Sequence, residues 1–370
     1  MKSSIKERVF GLDLMRAIAI LMVVFGHSLW IFPPSQRFIY QIFVLFGFFG
    51  VEIFFVLSGF LIGKILYQTY IKEDFSFKQL FHFLKRRWFR TLPNYFLILL
   101  LNIVVSTVLG YSIDSLWKYF LFLQNFNTPM LPFFTESWSL SVEEFAYIVL
   151  PIFLLISATF SKPKNKSRFF LFSVLALILI FFCNKIYYQY HTTNTTITQW
   201  NASLKSVVLY RLDSIFIGVL CSWIYCNYAS LWQKSRKVFF VLGVLFFMFL
   251  FVGIGRLGLF IETHSMLWNV FYLPFVSITV ACFLPFLSEW KEEKNLLAKP
   301  ITFISIISYS IYLLHYSLVL QLMKHYFPME SQNSLMLSFF LLIYFGITIT
   351  LSYLLYRFFE KPMMDLRDKN

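Results

Sequence analysis

Apolar runs of about twenty residues alternate along this chain with short polar segments. A helix that crosses a hydrocarbon core of about 30 Å needs about 20 mostly apolar residues. Ten runs meet that requirement: residues 10–32, 40–66, 94–110, 142–160, 169–187, 205–226, 238–255, 267–287, 302–322 and 335–357. The run at 116–124 is too short to cross and is expected to lie at the interface or dip into the membrane. The longest connections, 67–93, 111–141 and 188–204, are too short for a soluble domain. The pattern therefore predicts an all-α fold, a polytopic integral membrane helix bundle of about ten transmembrane helices, with 1–370 as a single domain.

Composition narrows the class. Of 370 residues, 59% are hydrophobic and 14% charged, against roughly 45–50% and about 25% in soluble chains. That excludes a soluble enzyme, a disordered chain and a secreted disulfide scaffold. Many of the 49 Phe are expected to face lipid, and Trp and Tyr to favour the interfaces. Cys183, Cys221, Cys226 and Cys282 all lie in apolar runs without a C-x-x-C pair, and read as packing residues rather than metal ligands. No metal site is expected. The first apolar run is too long for a signal peptide and is interrupted by Asp13, Arg16 and His27, so it reads as a retained span.

The net charge of +14 is explained by topology rather than by nucleic acid. If the N-terminus is cytosolic, 24 of the 32 Lys and Arg fall on the cytosolic side, six on the other side, and Arg16 and Arg211 inside spans. Such a bias is the positive-inside signature, and it predicts cytosolic N- and C-termini.

Ionisable residues within spans are costly, which makes them functional candidates. Arg16 and His27 are 11 residues apart, so they share one helix face within about 20° and stand roughly 16 Å apart along the axis. Asp13 lies on the same face. The competing reading is a snorkelling Arg16 and a core histidine whose bonds are satisfied. Glu143 and Glu144 follow Trp138-Ser139-Leu140-Ser141, where Ser141 and an acidic first turn also suit a helix start. Arg211 and Asp213 lie one to two turns into the sixth run, and His315 comes late in the ninth. The topology puts His27, Glu143, Arg211 and His315 in the outer half. On the cytosolic side, Lys85-Arg86-Arg87-Trp88-Phe89-Arg90 precedes Pro93. Clustered Arg suits phosphate, although contact with anionic lipid is the plainer alternative.

Six motifs in order resemble the acyltransferase-3 family of membrane proteins. They are Leu12-Asp13-Leu14-Met15-Arg16-Ala17-Ile18-Ala19 with His27 at the arginine-x10-histidine spacing; Gly50 to Leu61; Arg87-x-x-Arg90-x-x-Pro93; Trp138-Ser139-Leu140-Ser141-Val142-Glu143-Glu144; Ser308-Tyr309-Ser310-Ile311-Tyr312-Leu313-Leu314-His315; and Glu360-Lys361-Pro362. One departure is Phe145-Ala146-Tyr147, where the family usually reads Gln-Phe-Tyr.

The resemblance implies an O-acyltransferase of the bacterial cytoplasmic membrane. It would use cytosolic acyl-CoA, acetyl-CoA above all, with no tightly bound cofactor. The acceptor would be a carbohydrate such as an O-antigen, capsule, exopolysaccharide or other glycan. His27 is then expected to act as base or nucleophile, with Glu143 orienting it. Arg86, Arg87 and Arg90 would hold the CoA phosphates, with the thin arm of the donor passing Arg16. Trp138, Arg211 and His315 complete the expected substrate-binding set. Gly50, Ser58 and Gly59 would let helices pack closely. Some members add a C-terminal SGNH-type hydrolase-like domain; this chain is expected to lack one. The rival classes are a transporter or flippase for a polysaccharide precursor or small solute, and a membrane scaffold.

Overall fold

The computed structural model describes residues 8–367 apart from 36, 37, 73, 162, 193, 195, 328, 330 and 331. Regular structure among them is all helical. In chain order the long helices are α1 (Phe10–Ile31), α2 (Phe43–Lys72), α3 (Phe77–Leu109), α4 (Ser137–Ser161), α5 (Lys166–His191), the shorter α6 (Leu212–Asn227), α7 (Ala229–Arg256), α8 (Leu267–Leu287), α9 (Ala298–Tyr326) and α10 (Ser334–Leu366). Among the described residues, nine are long and apolar enough to cross a membrane, and α6 is the exception. Its 16 residues reach about 24 Å at 1.5 Å per residue.

The sixth run therefore differs from expectation: its helix begins at Leu212 rather than near 205. The reason lies in the segment before it. Asn125 Nδ2 donates to the carbonyls of Ser206 and Trp138 at 2.6 and 3.0 Å, and the Val208 amide donates to the Asn125 carbonyl at 3.0 Å. Backbone that is bonded by protein need not be helical at membrane depth. The run at 116–124 leads into those partners: Tyr119, Phe122, Gln124 and, just beyond it, Asn125 are all buried within the protein.

Helix α3 also differs. It starts at Phe77, not near 94, so the basic motif sits on a helix rather than in a loop. Ser76 caps it, with its amide donating to Gln79 Oε1 in a capping box. Helical spacing then puts Arg87 and Arg90 on one face, while Arg86 points outward and is exposed.

Helices α1 and α9 run parallel and touch at both ends. Near one end Ser305 Oγ donates to Asp13 at 2.8 Å, and near the other His27 and His315 meet at 2.9 Å. Helix α2 lies between α1 and α6. Gly50 faces Ala19 of α1, Gly59 faces the carbonyl of Ile215, and Gly218 of α6 faces the carbonyl of Val56. A side chain at Gly59 or Gly218 would overlap backbone, so these glycines set the α2–α6 separation. A fully buried ion pair of Arg211 with Glu52 of α2 reinforces this contact, and a second buried pair, Lys185 of α5 with Asp213, ties α5 to α6.

Candidate functional site

A cavity of about 110 Å³ lies inside the bundle. Its polar lining includes Arg16 of α1, Ser58 of α2, Arg87 and Arg90 of α3, Glu143 and Tyr147 of α4, and Tyr309 and Tyr312 of α9. Three guanidinium groups thus share a largely apolar chamber. Arg16 Nη1 donates to Asp13 and to Ser305 Oγ, each at 3.1 Å. Arg8 grips both oxygens of Asp13 at 2.7 and 2.8 Å. The acid at the start of α1 therefore fixes the arginine one turn later.

Ser58 and Tyr147, which line the chamber together with Glu143, meet at 2.5 Å. Glu144 accepts from Thr91 Oγ1 at 2.8 Å, and Tyr309 donates to the Thr91 carbonyl at 2.8 Å. Glu360 accepts from Asn94 at 2.9 Å and from Ser310 at 2.5 Å. These carboxylates tie α3, α4, α9 and α10 together around the chamber.

Ser139 and Tyr312, both on the cavity lining, meet at 2.6 Å. The Tyr312 hydroxyl also donates to the Glu136 carbonyl at 3.0 Å. One turn beyond Tyr312 is His315, at a point where α9 widens into an i→i+5 turn over His315–Leu320, a feature frequent at functional sites. His315 Nδ1 lies 2.7 Å from the Tyr312 carbonyl. A carbonyl only accepts, so Nδ1 carries the proton and Nε2 of the neutral ring has the lone pair. His27 Nδ1, 2.9 Å from that Nε2, must then be the donor. The His27 Nε2 atom is left with its lone pair, as a base requires. One bond to backbone and one between the two rings thus select one tautomer.

Around His27 stand Tyr316, with ring centroids 4.8 Å apart, and Trp30, at 6.5 Å. Lys205 acts on His27 electrostatically. It belongs to the segment before α6, outside the spans, and its ammonium sits 5.1 Å over Trp138 and 5.8 Å over Phe48. Burial lowers that ammonium to about 8.

The structure brings Arg16, Arg87, Arg90 and Glu143 to one chamber, and pairs His27 with His315 beyond the Ser139–Tyr312 wall. No hydrogen bond or ion pair joins Glu143 to His27; His315 occupies the orienting position instead. Trp138 is buried between Phe55 and Lys205. Arg211 lies off the chamber lining, paired with Glu52 and stacked on Phe55. Arg86 is likewise off the lining. Sequence reasoning missed Ser58, Tyr147, Glu52 and Lys205. The first three fall inside quoted motifs or one turn beyond, and Tyr312 sits one turn before His315; Lys205 has no motif around it.

The family described as "Acyltransferase domain" matches residues 9–357. The chain belongs to this acyltransferase-3 family. Among curated relatives, it is 32% identical to the "Putative peptidoglycan O-acetyltransferase YrhL" of Bacillus subtilis, over 46% of this chain and 27% of that protein. It is 24% identical to the O-acetyltransferase OatA of Staphylococcus aureus, over 95% of this chain and 57% of that protein. The chain thus spans between about a quarter and three-fifths of the length of these relatives. No solved structure matches it. Apolar helices and family together make it an integral membrane protein.

Proposed function

We propose that this protein transfers an acyl group from acyl-CoA to a hydroxyl of a cell-envelope carbohydrate, with the Arg87 end of the bundle facing the bacterial cytosol. The acyl group is acetyl and the donor acetyl-CoA, in keeping with the relatives' names. The observation that carries the reading is one polar line through an apolar bundle. It runs from the Arg16–Arg87–Arg90 chamber, past Tyr312, to a histidine whose Nε2 lone pair is free of protein partners among the described residues.

In this reading Arg87 and Arg90 receive CoA phosphate, which guanidinium groups bind bidentately. Arg16, held by Asp13, neutralises charge further along. The Ser139–Tyr312 bond opens as the thioester passes toward His27. His27 Nε2 takes the proton of the acceptor hydroxyl, and its oxygen attacks the thioester carbonyl carbon. The tetrahedral intermediate collapses by breaking the C–S bond. The thiolate leaves with the proton held on His27, giving free CoA thiol and the O-acyl sugar. His315 acts as a positioning residue, holding the reactive tautomer and sharing the imidazolium charge by hydrogen bond. Glu143, beside Ser58 and Tyr147 on the lining, shapes the chamber wall.

The test is transfer of radiolabel from acetyl-CoA to cell-wall glycan by the full chain in nanodiscs, with release of CoA thiol measured alongside. Wild type is expected to label the glycan and release thiol in equal amounts. Passage of a glycan precursor across the membrane without thiol release would refute the reading and favour transport.

A further inference from the structure

Beyond His27, on the side away from Arg87, stands a group of residues that donor binding does not use. Trp30 follows His27 by three residues, is 50% exposed, and meets Tyr316 edge-on with ring centroids 5.5 Å apart. Lys324 lies 5.5 Å over its indole ring. Lys205, which acts on His27 electrostatically, is half-buried against the rings of Trp138 and Phe48. Among the described residues no carboxylate lies within 4.0 Å of the Lys205 ammonium. An ammonium drawn out of water onto aromatic faces keeps N–H donors that a π cloud satisfies only in part. An exposed indole offers a flat apolar face for the C–H side of a pyranose ring. A cation with spare donors that also acts on His27 suits an oxyanion of the same acceptor.

We propose that the mouth around His27 is an acceptor subsite for an anionic carbohydrate, with Trp30 carrying the sugar ring and Lys205 binding its carboxylate or phosphate. This deepens the acyl-transfer reading by naming the acceptor class, and Lys324 adds a second positive charge at the rim. The arrangement gives the site a reason to prefer an acidic sugar over a neutral one of the same backbone. It also places the sugar hydroxyls beside the base rather than in the donor chamber.

The test is calorimetric binding to the full chain in phosphatidylcholine nanodiscs with no acyl donor present, so the site stands or falls apart from transfer activity. The probes are N-acetylglucosaminyl-N-acetylmuramic acid, N-acetylglucosamine 1-phosphate and the neutral N,N′-diacetylchitobiose. At least one acidic probe is expected to bind about tenfold tighter than chitobiose, the worth of a charge-assisted hydrogen bond. Lys205→Met is expected to erase that preference and Lys205→Arg to keep it, while Trp30→Ala weakens all three probes. Equal binding of the three sugars overturns the proposal, as does a preference that survives Lys205→Met or an affinity that survives Trp30→Ala. A second arm uses phosphatidylglycerol nanodiscs. Unchanged sugar binding is expected there; its loss would mean that lipid headgroups own the site, and would overturn the proposal. If acidic sugars bind as expected but no label is transferred, the subsite stands and the transfer reading falls.

Discussion

The buried pair of Arg211 and Glu52 allows a decisive test of what intramembrane charge does in this protein. Both side chains are fully buried, so neither ion has water to fall back on. Removing one partner from such a pair costs about 3–5 kcal/mol, because the survivor is left charged and unpaired. Arg211→Met leaves Glu52 with the Ser277 hydroxyl, 3.3 Å from its second oxygen, and that single bond is worth about 1.5–3 kcal/mol at best. Glu52→Leu is worse placed still, since Arg211 Nε and Nη1 already lack hydrogen-bond partners. The double variant, Glu52→Leu with Arg211→Met, removes both ions and both orphan nitrogens. Replacement of a buried pair by apolar residues is often neutral or stabilising by about 1–4 kcal/mol. Thermal unfolding of the purified chain in detergent should therefore show both single variants melting several degrees low and the double variant at or above wild type. The same samples report transfer kinetics, where the double variant should keep its KM for donor and acceptor. A double variant as unstable as the singles would refute the reasoning about the pair. A stable double variant with a raised KM would show Arg211 acting on substrate rather than on Glu52.

His27→Ala is expected to cost about 10²–10⁴ in kcat, the usual worth of a general base. His315→Ala should cost only about 2–13-fold, the rate equivalent of one net hydrogen bond of about 0.5–1.5 kcal/mol. His315→Gln, whose amide oxygen can accept from His27, should recover most of that loss with KM unchanged. Gly59→Ala pushes a methyl into the Ile215 carbonyl and should lower stability by about 1–3 kcal/mol, read as a lower melting temperature with no specific effect on either KM. The preference for acidic acceptors should fade between pH 7 and 9, because the Lys205 ammonium, lowered to about 8, becomes neutral as pH rises through that value. The titratable group on which Lys205 acts is His27, and its ammonium lies over the rings of Trp138 and Phe48. In Lys205→Arg the preference should persist to pH 9.

Much of the site was legible because helical periodicity is local. Arg16 and His27 share a face by their spacing alone, and Asp13 is close enough in sequence to fix Arg16, as it does. The arginines at 87 and 90 separate from Arg86 by the same rule, once α3 is known to include them. What stayed hidden was long-range. Arg211 and Arg87 look alike in sequence as basic residues beside apolar runs, yet one is sealed against Glu52 and the other lines the chamber. Glu143 was the natural partner for His27 on paper, because acid orients base in so many sites. The packing of α9 against α1 instead presents a histidine 288 residues away.

From the sequence alone come the membrane class, the approximate spans, the placement of small residues where helices touch, and the short set of ionisable groups worth testing. All of these follow from the solvent: lipid demands apolar runs and makes each charge within them conspicuous. Only the tertiary structure decided which charges neutralise one another, which face the chamber, and which nitrogen of His27 holds a lone pair. Those outcomes depend on contacts between helices distant in sequence, where a shift of one helical turn would change every partner.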